Sequence, residues 1–332
     1  MHELRKDILL GRWVAVMSDS RTPAEYTKPP DDDKAETSCF FCRGREHETP
    51  PEITSIRKSD ADWWVRALPS FKPIFQIEGD LGRRGIGIYD KMNAIGANEI
   101  LVESPEHNLR PEDMGLEQMI RVITLYRTRL ADLEKDSRLR YILIYKDSGK
   151  CAGQIFSHPV SFLMATPVIP KVVKDELDNS KQYFSYKERC IFCDIIREEL
   201  RTGERIIFET KHFLAFCPYA AQFPFESWIL PRRHSCAFQE ITDEEIEDMG
   251  LVLMTILKKL RQVFHDPPFN YFLHTAPNMV PRRNHWHTLG EDYHWHIEIL
   301  PRIIRTSGFE WGSGLYILPT SPENAAKYLR EV

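Results

Sequence analysis

The chain carries one order of features twice, and this repetition constrains its fold more than any other property of the sequence. Each copy begins with a Cys-x-x-Cys pair, Cys39/Cys42 in the first copy and Cys190/Cys193 in the second. Each then has a short apolar strand leading to a histidine, an amphipathic helix, another strand, and a last strand entered through a second histidine. Chance can reproduce one such element, but it is not expected to reproduce all of them in the same order. The sequence therefore predicts two similar halves, residues 1–170 and 186–332.

Helix signals in each half predict the fold class. Val122 and Tyr126 belong to a run of apolar residues at helical spacing in the first half. In the second half, Thr242 followed by Asp-Glu-Glu predicts a capped helix that ends near Phe264. Strands interrupted by one long helix per half favour an α+β fold, in which each half is a mostly antiparallel sheet with the helix packed on it. The charged segment 170–189 is predicted to be a linker.

The cysteine pairs and four of the twelve histidines predict two metal sites. Zinc in structural sites takes four ligands in a tetrahedron, and a Cys-x-x-Cys turn supplies two thiolates from one loop. The repeat selects the histidines next to the strands as the remaining ligands. The predicted ligand sets are Cys39, Cys42, His107 and His158 in the first half, and Cys190, Cys193, His234 and His294 in the second. We therefore expect two zinc ions per chain, with iron as an alternative at one site.

Two alternatives to metal binding remain open for these cysteines. Cysteine and histidine can simply fill a core, and a single Cys-x-x-Cys pair is often only that. A redox pair of the thioredoxin kind is the other alternative, but it is expected beside a βαβ pattern, which neither pair has. The odd number of cysteines, seven in all, argues against a disulfide framework.

Charge and hydropathy exclude two classes of partner. The formal net charge is −5, whereas nucleic-acid binders normally show a basic patch or stripe. No apolar run approaches the roughly 20 residues that span a bilayer. The segment from Met1 to Leu10 is charged and lacks a signal-peptide core. We therefore expect a cytoplasmic protein that binds neither nucleic acid nor membrane.

Longer motifs extend along nearly the whole chain. They are Cys39-Phe-Phe-Cys42, Thr49-Pro-Pro-Glu52, Ser104-Pro-Glu-His107, His294-Trp-His296-Ile-Glu298 and Gly308-Phe-Glu-Trp-Gly312. Together they resemble the galactose-1-phosphate uridylyltransferase family of the histidine-triad superfamily, and Gly314-Leu-Tyr-Ile-Leu-Pro is more similar to its ADP-glucose phosphorylase branch. The resemblance implies a two-step reaction. A histidine attacks the α-phosphate of a nucleotide sugar and releases a sugar 1-phosphate, and a phosphate acceptor then takes the nucleotidyl group.

The first half departs from the family at the residues that carry this chemistry. The resemblance implies a segment Asn-x-Gly…Gly-x-Ser…His-Pro-His-x-Gln, in which the first histidine is a zinc ligand and the second is the nucleophile. This sequence keeps the ligand as His158 but has Val160 at the nucleophile position. Asp147, Ile155 and Phe162 stand at the Asn, Ser and Gln positions. Valine and phenylalanine can neither attack phosphorus nor donate a hydrogen bond, so the first half is predicted to be inactive in transfer.

The second half keeps a histidine at the corresponding place. His296 and Glu298 follow His294 on an extended segment, where alternation puts the three side chains on one face. The resemblance makes His296 the candidate nucleophile and Glu298 its catalytic partner, with a purely structural role for the pair as the alternative. Guanidinium groups pair well with phosphate. The candidate substrate-binding residues are Arg232, Arg233 and Asn270.

Three functions therefore remain open, and we favour the first because the second half retains each segment of the repeat. The first is a nucleotidyltransferase that acts on a nucleotide sugar or sugar phosphate through His296. The second is a non-catalytic relative that keeps the fold and the metals and binds a nucleotide, a sugar phosphate or a partner. The third is a hydrolase of a nucleotide conjugate. The family resemblance also implies a homodimer.

Overall fold

A computed structural model describes residues 3–10, 13–16, 21–26, 39–60, 62–281 and 287–332. Its strands are β1 (Glu3–Lys6), β2 (Trp13–Val16), β3 (Thr54–Ser59), β4 (Asp62–Pro69), β5 (Arg84–Ile86), β6 (Tyr89–Lys91), β7 (Ala97–Val102), β8 (Tyr141–Ser148), β9 (Val160–Thr166), β10 (Ile206–Glu209), β11 (Phe213–Phe216), β12 (Ser227–Pro231), β13 (Phe269–His274), β14 (His296–Pro301) and β15 (Tyr316–Leu318). Its α-helices are α1 (Leu116–Leu133), α2 (Lys171–Lys187), α3 (Ile191–Thr202), α4 (Asp243–Phe264), α5 (Leu289–Asp292), α6 (Gly308–Ser313) and α7 (Pro322–Arg330). In these described ranges, no helix has both the length and the apolar character that a bilayer crossing requires.

Ten strands form one antiparallel sheet, and its strand order repeats. The order is β10-β11-β12-β14-β13-β8-β9-β7-β4-β3, so β3-β4-β7-β9-β8 in the first half corresponds to β10-β11-β12-β14-β13 in the second. The two halves join through the pair β8–β13, which sets Tyr145 opposite Phe272 and Asp147 opposite Asn270. The predicted α+β class with two similar halves is confirmed, with the addition that the two sheets merge into one. Small sheets of β1-β2-β15 and β5-β6 lie beside it.

The two long helices cover one face of this sheet. Val122 of α1 and Leu253 of α4 belong to the main apolar core, together with inward-facing strand residues such as Ile297. A Cβ added at Gly250 of α4 would lie 3.2 Å from Cδ1 of Leu116 in α1, so glycine permits the close approach of the helices. Thr242 caps α4 reciprocally with Glu245, as its sequence signal predicts.

The predicted linker is wrong in its local structure. Residues Lys171–Lys187 form the helix α2, whose Val173 and Leu177 are buried against Leu214 and Trp228 of the second-half sheet. Except for the buried Glu176, the charged residues of α2 are exposed or partly exposed, which is why the composition of the segment suggested a linker. Helix α2 and the Cys-x-x-Cys segments cover the second face of the sheet only in part, and side chains at its centre stay partly exposed.

Candidate metal centres and active site

The first predicted ligand set lies in one place. The Sγ of Cys42 is 3.5 Å from Nδ1 of His107, and the Nδ1 atoms of His107 and His158 are 3.4 Å apart. The Sγ of Cys39 is 3.6 Å from Nδ1 of His158. Ligand atoms around a tetrahedral zinc ion are separated by about 3.3–3.8 Å, given bonds of about 2.0–2.3 Å. The four atoms therefore fit the ligand shell of such an ion.

The protonation state of His158 suits this role. Its Nε2 donates a hydrogen bond to the carbonyl oxygen of Ser104 at 2.8 Å, which leaves the lone pair on Nδ1. Burial lowers the pKa of His158 to about 4, so the imidazole is neutral at physiological pH. A neutral imidazole oriented by a backbone carbonyl is the form in which histidine binds a metal.

The second predicted set has the same arrangement. The Sγ of Cys190 is 3.4 Å from Nδ1 of His294, and the Sγ of Cys193 is 3.4 Å from Nδ1 of His234. Nε2 of His234 donates to the carbonyl oxygen of Gly290 at 2.9 Å. Burial lowers the pKa of His294 to about 3, and the hydrogen bond from Cys190 lowers that of Cys193 to about 5. A neutral imidazole and a cysteine that ionises readily to a thiolate are again the forms in which these side chains bind a metal.

A third group of ligand-type atoms lies on the second-half sheet, and the sequence indicated only half of it. Glu176 of α2, His274 of β13, and His296 and Glu298 of β14 bring ligand atoms within 4.8 Å of one another. Nδ1 of His274 is 3.0 Å from Oε1 of Glu176, and Nε2 of His296 is 3.5 Å from Oε1 of Glu298. Burial opposes protonation of His274, but the Glu176 carboxylate outweighs it and raises the pKa of His274 to about 9.

The orphaned atoms of this group fit a cation. Nε2 of His296 is buried and has no hydrogen-bond partner among the described residues, and Oε1 of Glu176 and Nδ1 of His274 are buried with only each other as charged partner there. Buried polar atoms are normally satisfied, and two imidazoles with two carboxylates form a recognised metal ligand type. The one available sequence signal was a histidine that ends β13. Glu176 had none, because it lies in the segment interpreted as a linker.

The candidate nucleophile His296 is fully buried. Its ring lies 5.2 Å from that of Phe192 and 5.4 Å from that of Trp228, and none of its surface is exposed. Nδ1 lies 3.2 Å from the carbonyl oxygen of His294, so it donates there and Nε2 carries the lone pair. This tautomer suits a nucleophile or a metal ligand, and complete burial favours the ligand. The catalytic roles of His296 and Glu298 stay predictions.

Other protein groups engage the candidate substrate-binding residues. Arg233 donates two hydrogen bonds to Glu245 at 2.8 and 3.0 Å, and Arg232 donates to the carbonyl oxygen of Thr210 at 3.0 Å. Asn270 donates to Asp147 at 2.6 Å near the centre of the sheet. The structure thus brings Asn270, but not the guanidinium groups, to the partly exposed face, and their roles in substrate binding stay predictions.

Three of the four first-half positions that lack the family residues carry apolar side chains. Val160 is buried, and Ile155 is exposed. The ring of Phe162 stacks on Tyr145 with centroids 5.3 Å apart and an angle of 25° between the planes. Phe156 also stacks with Phe162, with a centroid separation of 6.3 Å. Of the four replaced positions, Asp147 alone carries a polar side chain, and it is an acceptor rather than a donor.

Comparison with known proteins places this geometry in a family. The family model described as galactose-1-phosphate uridyl transferase, C-terminal domain, matches residues 176–328. ADP-glucose phosphorylase from Arabidopsis thaliana is 33% identical over 336 residues, which cover 99% of this chain and 93% of that protein. The chain belongs to the galactose-1-phosphate uridylyltransferase family. The resemblance inferred from the motifs is thereby confirmed.

Other members of the family match over their whole length. A crystal structure of an ADP-glucose phosphorylase from Arabidopsis thaliana with bound ADP-glucose has a TM-score of 0.85 at 33% identity, covering 100% of this chain and 99% of that one. Galactose-1-phosphate uridylyltransferase from Thermotoga maritima is 28% identical over 339 residues, covering 100% of this chain and 98% of that protein. The family is thus one of nucleotidyltransferases, and the chain spans its full fold.

Proposed function

We propose that this family member transfers a nucleotidyl group between a sugar 1-phosphate and a phosphate acceptor through His296. The lone pair on Nε2 of His296 supports the proposal, because no described residue hydrogen-bonds to that atom while Nδ1 is committed to the His294 carbonyl. In the first step Nε2 bonds to the α-phosphorus of a nucleotide sugar as the bond from phosphorus to the sugar-phosphate oxygen breaks. In the second, an acceptor phosphate oxygen bonds to phosphorus as the nitrogen–phosphorus bond breaks.

The names of the relatives suggest the substrate class, and Glu298 is the proposed partner of His296. Two relatives are an ADP-glucose phosphorylase and a galactose-1-phosphate uridylyltransferase, so a nucleotide sugar and a sugar phosphate are the proposed substrates. Oε1 of Glu298 lies 3.5 Å from Nε2 of His296, and Glu298 is the proposed catalytic partner, because its charge stabilises the positive charge that the ring gains when Nε2 bonds to phosphorus. Arg232, Arg233 and Asn270 remain the proposed substrate-binding residues.

We further propose that both thiolate-containing groups hold zinc, which gives two zinc ions per chain. A closed set of two thiolates and two imidazoles is typical of a structural zinc site, where the ion cross-links strand ends and contributes to folding stability. Iron is the alternative to zinc at one of these two sites. The group around Glu176 and His274 has no thiolate, and an ion bound there would be a third metal per chain. A metal bound by Nε2 of His296 would exclude that atom as a nucleophile, so metal content bears directly on the reaction.

A non-catalytic binding protein is the second candidate, and a specific observation favours it. The side chain of His296 has no exposed surface, and Val160 stands where the family nucleophile is expected. A chain that keeps the family fold and its metals can still bind a nucleotide or sugar phosphate.

Labelling with a nucleotide sugar separates the two candidates. UDP-glucose or ADP-glucose labelled at the α-phosphate should leave an acid-labile phosphohistidine adduct that His296→Ala abolishes and Val160→Ala retains. Metal content measured on the same preparations should be two ions per chain. No adduct with either compound, together with three metals per chain and calorimetric binding of the nucleotide sugar, would overturn transfer in favour of binding. Release of free nucleotide without an acceptor would indicate a hydrolase.

A cytoplasmic homodimer is the proposed state of the protein in the cell. All seven cysteines are free, as is usual in a reducing compartment. Light scattering after size exclusion should give a mass near twice 38.9 kDa. A mass near 38.9 kDa at micromolar concentration would contradict the dimer.

A further inference from the structure

Five side chains form a strip at the centre of the partly exposed sheet face. Phe162 of β9, Tyr145 of β8 and Phe272 of β13 are direct cross-strand neighbours in one row. Asp147 and Asn270 oppose each other in the next row on the same face. We call these five residues the central strip. It lies on β9, β8 and β13, where the two halves of the sheet meet.

Tyr145 is the middle ring in the aromatic row of the central strip, and it has exposed surface. Phe156, Phe162 and Tyr145 form a near-parallel series, with angles of 28° and 25° between successive ring planes. Tyr145 is partly exposed and contacts one ring, that of Phe162, among the described residues. Phe272 is the cross-strand neighbour on the other side of Tyr145, but among the described residues its ring contacts His274 and not Tyr145. A flat ligand ring can therefore stack on Tyr145, since bases stack on aromatic side chains regardless of sequence.

The polar part of the central strip offers a hydrogen-bond acceptor next to that ring. Asp147 follows Tyr145 by two residues on the same face, about 6.5 Å along the strand. Oδ1 of Asp147 accepts a hydrogen bond from Nδ2 of Asn270 at 2.6 Å, whereas Oδ2 accepts none from the described residues. Nδ2 of Asn270 also donates to the carbonyl oxygen of Ala152 at 2.7 Å, so its donors are committed.

The surroundings of Asp147 favour a donor and disfavour an anion. Burial raises the pKa of Asp147 above its ordinary value, because water solvates the carboxylate incompletely. A ligand N–H group would restore part of that lost solvation. A phosphate group presents acceptors and negative charge, so it is repelled from this position.

We infer that the central strip binds a nucleobase that carries an exocyclic amino group, with the base stacked on Tyr145 and the amino group donating to Asp147. Adenine, cytosine and guanine have such a group, and uracil and hypoxanthine do not. The inference deepens the proposed function by naming the class of base, and it rests on that function only in taking the ligand to be a nucleotide derivative.

Adenosine and inosine form a matched ligand pair for the test, because inosine has a keto oxygen in place of the amino group. Calorimetric titration of the full, metal-loaded chain should show adenosine binding about 10- to 100-fold more tightly than inosine, as expected for one hydrogen bond to a charged acceptor. Asp147→Asn offers a donor as well as an acceptor, so the preference should fall below threefold. Tyr145→Leu should weaken both nucleosides about tenfold, and Tyr145→Phe should restore them.

Glu117→Gln, on the exposed side of α1, is the matched control and should change neither affinity. Equal affinities of the wild-type chain for adenosine and inosine would overturn the inference, as would no binding of either nucleoside at millimolar concentration. A preference unchanged by Asp147→Asn would also overturn it. The nucleoside titration does not depend on an adduct at His296, so failure of the transfer proposal and failure of this inference are separate results.

Discussion

Glu103 and Lys146 form a buried ion pair beneath the central strip, and breaking it should destabilise the protein measurably. Oε2 of Glu103 lies 2.6 Å from Nζ of Lys146, and the two side chains are 2% and 4% exposed. Oε1 of Glu103 accepts a hydrogen bond from the hydroxyl of Tyr126 at 2.8 Å. Glutamine has nearly the same shape, so Glu103→Gln keeps the packing but leaves the Lys146 ammonium buried without a counter-charge.

The expected size of the effect follows from this burial. Removing one partner of a buried pair costs about 3–5 kcal/mol of unfolding free energy, because the remaining charge is uncompensated. An unfolding entropy of about 2.1 cal/mol/K per residue over the 332 residues gives a Tm decrease of about 4–7 °C. The helical pair Arg121–Glu117 is solvent-exposed, with an Nη2–Oε1 distance of 3.5 Å. Glu117→Gln should therefore cost about 0.3–0.5 kcal/mol and lower Tm by less than about 1 °C.

Scanning calorimetry of the metal-loaded protein measures both variants under the same conditions. The double variant Glu103→Gln/Lys146→Met removes the uncompensated ammonium, so it should recover much of the lost Tm. If Glu103→Gln melts within about 1 °C of the wild type, or if the double variant melts below the single one, then an unpaired buried charge is not the source of the loss.

Three further perturbations probe the metal groups and the helix contact. Cys193→Ser should remove one metal ion per chain by elemental analysis, whereas Cys151→Ser on the exposed surface should remove none; equal metal content would contradict the ligand assignment. In metal-free protein, the pKa of His158 is lowered to about 4 and that of His294 to about 3, from 6.5. The neutral forms of these two histidines therefore stabilise the folded protein above pH 6.5, and this stabilisation is lost as pH falls towards 4. His158→Gln should make the urea midpoint depend less on pH over that range. If the urea midpoint of the wild type depends on pH no more steeply than that of the variant, this account is contradicted. Gly250→Val should cost about 1–3 kcal/mol of unfolding free energy by overpacking α1 against α4. Gly312→Val is the control, because no atom of the described residues lies within 4 Å of a Cβ added there. Equal urea midpoints of the two variants would argue against a tight helix contact.

Signals that depend on neighbouring residues were readable from the sequence. The apolar spacing around Val122 predicted α1, and Thr242 with its acidic successors predicted the start of α4. The repeat selected four histidines that lie beside the cysteine thiols. These signals are visible because helical periodicity, capping and a Cys-x-x-Cys turn each involve residues a few positions apart.

Helix α2 shows where local signals misled. Its charged surface made the segment resemble a linker, although Val173 and Leu177 bury an apolar side against the second-half sheet. Burial of that side is a property of the docked helix and not of its composition. The same error hid Glu176, whose carboxylate is fully buried next to His274.

The sequence by itself determined the duplicated plan, the fold class, the family and the pairs of thiols and imidazoles, because each is written in short-range spacing or in motifs. Only the tertiary structure decided that the half-sheets join through β8 and β13, and that His296 is buried between Phe192 and Trp228. It also decided that Asp147 lies opposite Asn270 and that, among the described residues, its Oδ1 accepts a hydrogen bond while its Oδ2 accepts none. The physical reason is that register between strands and the docking of α2 depend on packing between residues distant in the chain, which no local pattern encodes.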